Sequence, residues 1–305
     1  MSKLELTSLN CTSCGASLSG YEGKNEVQCE YCNTSIKILR PRSVTVSQEN
    51  LSNENFERLN NYIEILQKAI RAGNYNEGYD YCNKALEVNP NIGSIWENKA
   101  ICAFWRSVSY LNEDKITLSN AREIRTFLNA SKENDPDSES YEITADAIGS
   151  NLATILRIKL AAISPDTTTT VDKKSVQSYS TRAISRAKDY LETMETAYDI
   201  MVNKDVDILK YLVKEFSNHG KMIWWEAKNA WGKPEHPTNT KPTTLAISSG
   251  IDVERKRDSL IKRILSIDKS YEAPGVKITV TPIWVVYFAI GVTLFFVFMS
   301  LKGKL

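Results

Sequence analysis

The chain has 305 residues, with 38 Lys and Arg against 37 Asp and Glu, so its formal charge is only +1. That balance excludes a nucleic-acid binder held by bulk charge, while the length accommodates two or three domains. Only two histidines occur, His219 and His236, and neither sits in a catalytic or metal-binding pattern, which weakens most hydrolase and transferase readings.

The N-terminal region carries Cys11-Thr-Ser-Cys14-Gly and Cys29-Glu-Tyr-Cys32. Two C-x-x-C turns at this separation can close four thiolates into a tetrahedron around one Zn²⁺. Gly15 to Gln28 has room for a strand, a turn and a return strand, and its Ser-Gly-Tyr-Glu-Gly-Lys-Asn run supplies turn residues. Val27-Gln28 and Ser35 to Ile38 read as short strands. Ser8 to Ile38 therefore resembles a zinc ribbon, and the domain is placed at 1–39. A structural Zn²⁺ on Cys11, Cys14, Cys29 and Cys32 follows. The competing arrangement is two disulfides in a secreted module, but Met1 to Asn10 has no apolar core of a signal peptide. Cys82 and Cys102 lie inside apolar helical patterns and are expected as small buried residues.

Residues 40–54, rich in Ser, Thr, Asn and Gln with Pro41, are expected as a linker. A helical domain is placed at 55–218. Phe56, Leu59, Ile63, Leu66 and Ile70 recur at helical spacing, Gly73 stops that helix, and a second runs from Asn74-Tyr75 to Val88 before Asn89-Pro90-Asn91. Tyr62 through Asn91 resembles a tetratricopeptide repeat, with Gly73, Tyr75, Gly78, Ala85 and Pro90 where that family has its turn, small residues and closing proline. Leu66 departs from the pattern, since the family has a small residue there. Trp96 and Ala100 open an irregular second unit, with an insertion around Ser107 to Leu118, a helix from Ser119 to Lys132, and Asp135-Pro136-Asp137 at its close. Further helices are expected at Ser140 to Ile163, Lys173 to Val202 and Asp205 to Asn218, with Pro165 and Thr167 to Thr170 as breakers. Too few units are present for a free-standing solenoid, so the later helices must extend or cap the stack. The resemblance implies that first helices line a peptide groove, which makes Asn60, Asn61, Glu64, Lys68, Glu97 and Asn98 candidate contacts.

Residues 219–282 form a mixed segment. Met222 to Trp231 holds three of the six tryptophans; Trp224 and Trp225 read as rings packed on the stack, as a partner-binding hot spot or as an interfacial membrane contact. Gly232 to Ser249 reads as a flexible loop. Ile251 to Ile267 reads as a basic amphipathic helix that lies on anionic lipid or finishes the helical domain. Ile283 to Leu301 is an uncharged apolar run of 19 residues. It would span about 28 Å as a helix, the thickness of a bilayer core. It resembles the anchor of tail-anchored proteins. Arg255, Lys256, Arg257, Lys262, Arg263, Lys269 and Lys277 precede it, which places the bulk of the chain on the cytoplasmic side.

The expected fold class is mainly α: a small β zinc ribbon, a repeat-like α-solenoid and one C-terminal transmembrane helix. No phosphate loop, nucleophile elbow or H-E-x-x-H motif is found, and a four-cysteine zinc site leaves no open coordination position, so catalysis is not expected. The leading function is a membrane-anchored adaptor that binds a protein or peptide partner. A membrane effector that oligomerises to permeabilise the bilayer is one alternative. A nucleic-acid-binding regulator is another, although Lys24, Lys37, Arg40 and Arg42 are interspersed with Glu22, Glu26 and Glu30.

Overall fold

The computed structural model describes residues 9–21, 23–48, 51–108, 116–163, 167–171, 174–178, 181–216 and 242–273. The chain divides into two compact units, Met1–Thr168 with Tyr179–Leu212, and Thr169–Ser178 with Val213–Leu305. Strands β1 (Glu26–Gln28) and β2 (Ser35–Lys37) form a two-stranded sheet. Helices α1 (Asn53–Arg71), α2 (Tyr75–Val88), α3 (Gly93–Val108), α4 (Leu118–Asn134) and α5 (Glu139–Ala161) follow. Strands β3 (Thr167–Val171) and β4 (Lys174–Ser178) make a second two-stranded sheet, and α6 spans Thr181–Ile200. Residues 206–216 are helical (α7), and α8 spans Pro242–Ile267.

Local chemistry sets these boundaries. Ser52, Asn74, Thr117 and Ser138 are the N-caps of α1, α2, α4 and α5, and each side-chain oxygen accepts a backbone N–H three residues on. Gly73, at φ 74°, ends α1. Its N–H donates to the Ile70 carbonyl at 3.0 Å and the Asn74 N–H to that of Ala69 at 2.9 Å, a left-handed turn that a side chain would strain. The chain thereby reverses between α1 and α2 in three residues.

In the first unit α1 packs on α2, α3 on α4 and α5 on α6, while α2 meets α3 and α4 meets α6. Three helical hairpins thus lie side by side. The core shared by α1, α2 and α3 holds Leu59, Ile63, Leu66, Ile70, Cys82, Ala85, Leu86, Ile95 and Cys102, joined by Val44 from the segment before α1. Cys82 and Cys102 are buried and free. Farther along α3's contact with α4, the Lys99 ammonium lies 4.2 Å from the Phe127 ring centre and 4.8 Å from that of Trp96. Burial lowers its pKa, and the electron-rich ring faces accommodate the charge that remains.

Several expectations are corrected. The helix expected from Lys173 begins at Thr181; the β-branched run Thr167–Val171 pairs instead with Lys174–Ser178. The loop expected from Gly232 to Ser249 gives way to helix at Pro242, whose fixed φ suits a first helical turn. α8 covers the whole amphipathic stretch Ile251–Ile267. No helix among the described residues is long and apolar enough to cross a membrane. The longer ones are interrupted by charge: Glu139, Glu142, Asp146, Arg157 and Lys159 in α5, and Arg255, Lys256, Arg257, Asp258, Lys262 and Arg263 in α8. The fold class is therefore mainly α with small two-stranded sheets. The transmembrane helix and the single-pass placement expected from sequence are withdrawn; Ile283 to Leu301 lies outside the described residues.

Candidate functional site

The two C-x-x-C segments fold as near copies of each other. In the first, Gly15 N–H donates to the Cys11 carbonyl at 2.9 Å and Cys11 N–H to that of Ala16 at 2.7 Å. In the second, Asn33 N–H donates to the Cys29 carbonyl at 2.8 Å and Cys29 N–H to that of Thr34 at 2.9 Å. Each turn closes through a left-handed residue just after its second cysteine, Gly15 at φ 77° and Asn33 at φ 56°. Glycine adopts that conformation freely and asparagine more readily than most residues. β1 and β2 flank the second turn as a hairpin, paired antiparallel as Glu26↔Lys37, Val27↔Ile36 and Gln28↔Ser35, and an antiparallel bridge between Asn10 and Ser17 flanks the first.

The four sulfurs lie within 4.8 Å of one another. Cys11 Sγ is 3.6 Å from Cys32 Sγ, and Cys14 Sγ is 3.6 Å from Cys29 Sγ. A tetrahedron of Zn–S bonds near 2.3 Å has edges of about 3.8 Å, whereas a disulfide needs about 2.05 Å. The spacing fits a metal, and all four cysteines are free. Their protonation also fits. Burial pushes the Cys11 thiol up to about 12, while the Thr34 hydroxyl, 3.2 Å from Cys32 Sγ, lowers that thiol to about 6. Crowded thiols resist ionising together unless a cation compensates their charge. Residues Cys11, Cys14, Cys29 and Cys32 would hold Zn²⁺ with all four positions filled, which gives it a structural part.

Beyond the ribbon, Leu39–Gln48 crosses the helical stack as a strap. Leu39, Arg42 and Val44 are buried. Asn151 of α5 donates from Nδ2 to the Lys37 carbonyl at 2.8 Å, and its Oδ1 accepts the Lys37 N–H at 2.9 Å. Asn98 of α3 does the same for Arg42: Nδ2 to the carbonyl at 2.9 Å, and N–H to Oδ1 at 2.9 Å. The Arg42 guanidinium lies 2.6 Å from Asp135 Oδ2, 2.9 Å from Ser138 Oγ and 3.7 Å from Glu97 Oε2. Glu97 Oε1 accepts from Ser140 Oγ and Thr144 Oγ1, both at 2.7 Å.

The candidate contacts thus separate into groups. Asn60, Asn61, Glu64 and Lys68 lie exposed on α1, with Lys68 Nζ 2.5 Å from Glu64 Oε1. Glu97 and Asn98 are fully buried, and the atoms described here are engaged within the chain. Trp224 and Trp225 lie outside the described residues. Sequence reasoning passed over Asn151 and Ser138, read Asp135 only as the close of a repeat unit, and placed Arg42 in a linker. The one local signal was Arg40-Pro41-Arg42, where proline favours extended backbone in the residue before it. No protein family, curated protein or solved structure matches this chain.

Proposed function

We propose that this protein is a non-catalytic adaptor in which a ribbon built on a structural Zn²⁺ is joined to a tetratricopeptide-like stack that binds a protein or peptide partner. The observation that carries the reading is the join itself: a closed four-sulfur cluster, with no position left for substrate, leading straight into side-by-side helical hairpins. The repeat likeness is supported at Gly78, where an added Cβ would lie 3.0 Å from both Cys102 Sγ and Ile70 Cγ1. A small residue there lets α2 approach both α1 and α3. The nucleic-acid alternative loses support because the basic residues near the ribbon are partly engaged. Arg40 donates to the carbonyls of Tyr21 and Lys24, and Arg42 is buried against acids.

A photo-cross-linking residue placed at Asn60 or Lys68 tests the adaptor reading in the full chain in its native extract. The reading requires a discrete protein adduct at those positions that is absent from the same residue placed at exposed Arg122 of α4. Equal labelling at all three positions would refute it.

A further inference from the structure

Asn98 and Asn151 are the least expected buried side chains in the molecule. Each uses both halves of its carboxamide on the two backbone groups of a single residue, and the residues so held, Arg42 in the strap and Lys37 at the end of β2 that leads into it, lie five apart. Such pairing reads backbone and ignores side chains, so any extended chain could take it up. One side chain is read as well. The Arg42 guanidinium enters a pocket made by Glu97, Asp135 and Ser138, where Nη1 meets all three and the two carboxylates match its charge. Val44 then drops into the core between α1 and α3, and Gln67 Nε2 donates to its carbonyl at 3.3 Å. Arg40, two residues before Arg42, turns away to the ribbon carbonyls of Tyr21 and Lys24. Backbone clamps on two helices, one arginine pocket and one apolar pocket make up a peptide-reading site, and the strap fills it.

We propose that this face of the stack is a binding site for an extended, arginine-bearing peptide, and that residues 37–46 occupy it as an internal ligand which a partner segment of the same chemistry displaces. The proposal deepens the adaptor reading and rests on it. It names the groove, the recognised side chain and the contact that keeps the groove closed. An internal ligand lowers the apparent affinity for an external one by the fraction of time the site stands open. A partner must therefore outcompete the strap rather than meet an open groove.

The test uses the full chain and a fluorescent synthetic peptide, Ile36 to Ser47. In the Arg42→Glu chain the strap meets Glu97 and Asp135 with the wrong charge and leaves, while the site keeps every other residue. That chain should bind the wild-type peptide at least about tenfold more tightly than the wild-type chain does, and adding Asn98→Ala should cost about tenfold. A peptide with Arg42→Ala should lose binding by a similar factor, whereas one with Arg40→Ala should bind unchanged. Should Arg42→Glu fail to fold, Arg42→Ala removes the guanidinium without adding a charge and should still raise affinity above the wild-type chain. Affinity that does not rise in either variant overturns the proposal, as does equal sensitivity to both arginines. Cross-linked adducts at Asn60 or Lys68 without peptide uptake overturn the internal ligand and leave the adaptor standing. Uptake that depends on Asn98, with no adduct on α1, supports this site and removes the α1 surface.

Discussion

Gly149 sits within α5, close to Asn151, and two opposed effects meet there. A glycine inside a helix costs about 1 kcal/mol relative to alanine, so propensity alone favours Gly149→Ala. The packing says otherwise. An added Cβ would lie 2.4 Å from Met201 Cγ and 2.6 Å from the Ala197 carbonyl oxygen. The methionine can rotate away, but the carbonyl belongs to the backbone of α6, so the two helices must separate by several tenths of an ångström. Overpacking of this kind typically costs about 1–3 kcal/mol, and the net expectation is a loss of about 1 kcal/mol. Gly78→Ala is the control. It has the same propensity gain, yet its close contacts, both 3.0 Å, are to the side-chain atoms Cys102 Sγ and Ile70 Cγ1. Those side chains can yield, so the change should fall within about 0.5 kcal/mol of neutral. Urea denaturation followed by far-UV circular dichroism measures both. A Gly149→Ala chain as stable as wild type, or more so, would refute the α5–α6 contact and with it the placement of Asn151.

Zinc content of the purified, reduced chain should be about one per molecule; Cys29→Ser should abolish it and broaden the NMR signals of β1 and β2 while leaving most of the helical circular dichroism. Glu97→Lys would set a second cation beside the Arg42 guanidinium at a fully buried position. It should destabilise the stack by about 3 kcal/mol or more, whereas Lys68→Glu on the exposed face of α1 should change stability by less than about 0.5 kcal/mol; thermal denaturation of the two variants separates them.

The four-cysteine cluster was legible because its information is local. Four cysteines at fixed spacing, with turn residues between them, carry their own geometry, and only the left-handed Asn33 needed coordinates. The α1–α2 hairpin was legible for a like reason. Apolar residues at helical spacing, a glycine stop and an asparagine cap all act within a few residues of where they stand. The strap was not legible. Arg42, Pro41 and their Ser- and Thr-rich neighbours have the composition of a linker, and Glu97 and Asn98 have that of a wet helical face. What buried them is pairing across the chain: Arg42 with Asn98 at a separation of 56 residues, and Lys37 with Asn151 at 114. Local pattern by itself determined the α1–α2 hairpin and which residues can hold a metal. Only tertiary structure decided that polar side chains on α3 and α5 face inward, because a buried amide is tolerated when a complementary backbone group is brought to it. That partner lies far away in sequence, where periodicity and spacing carry no record of it.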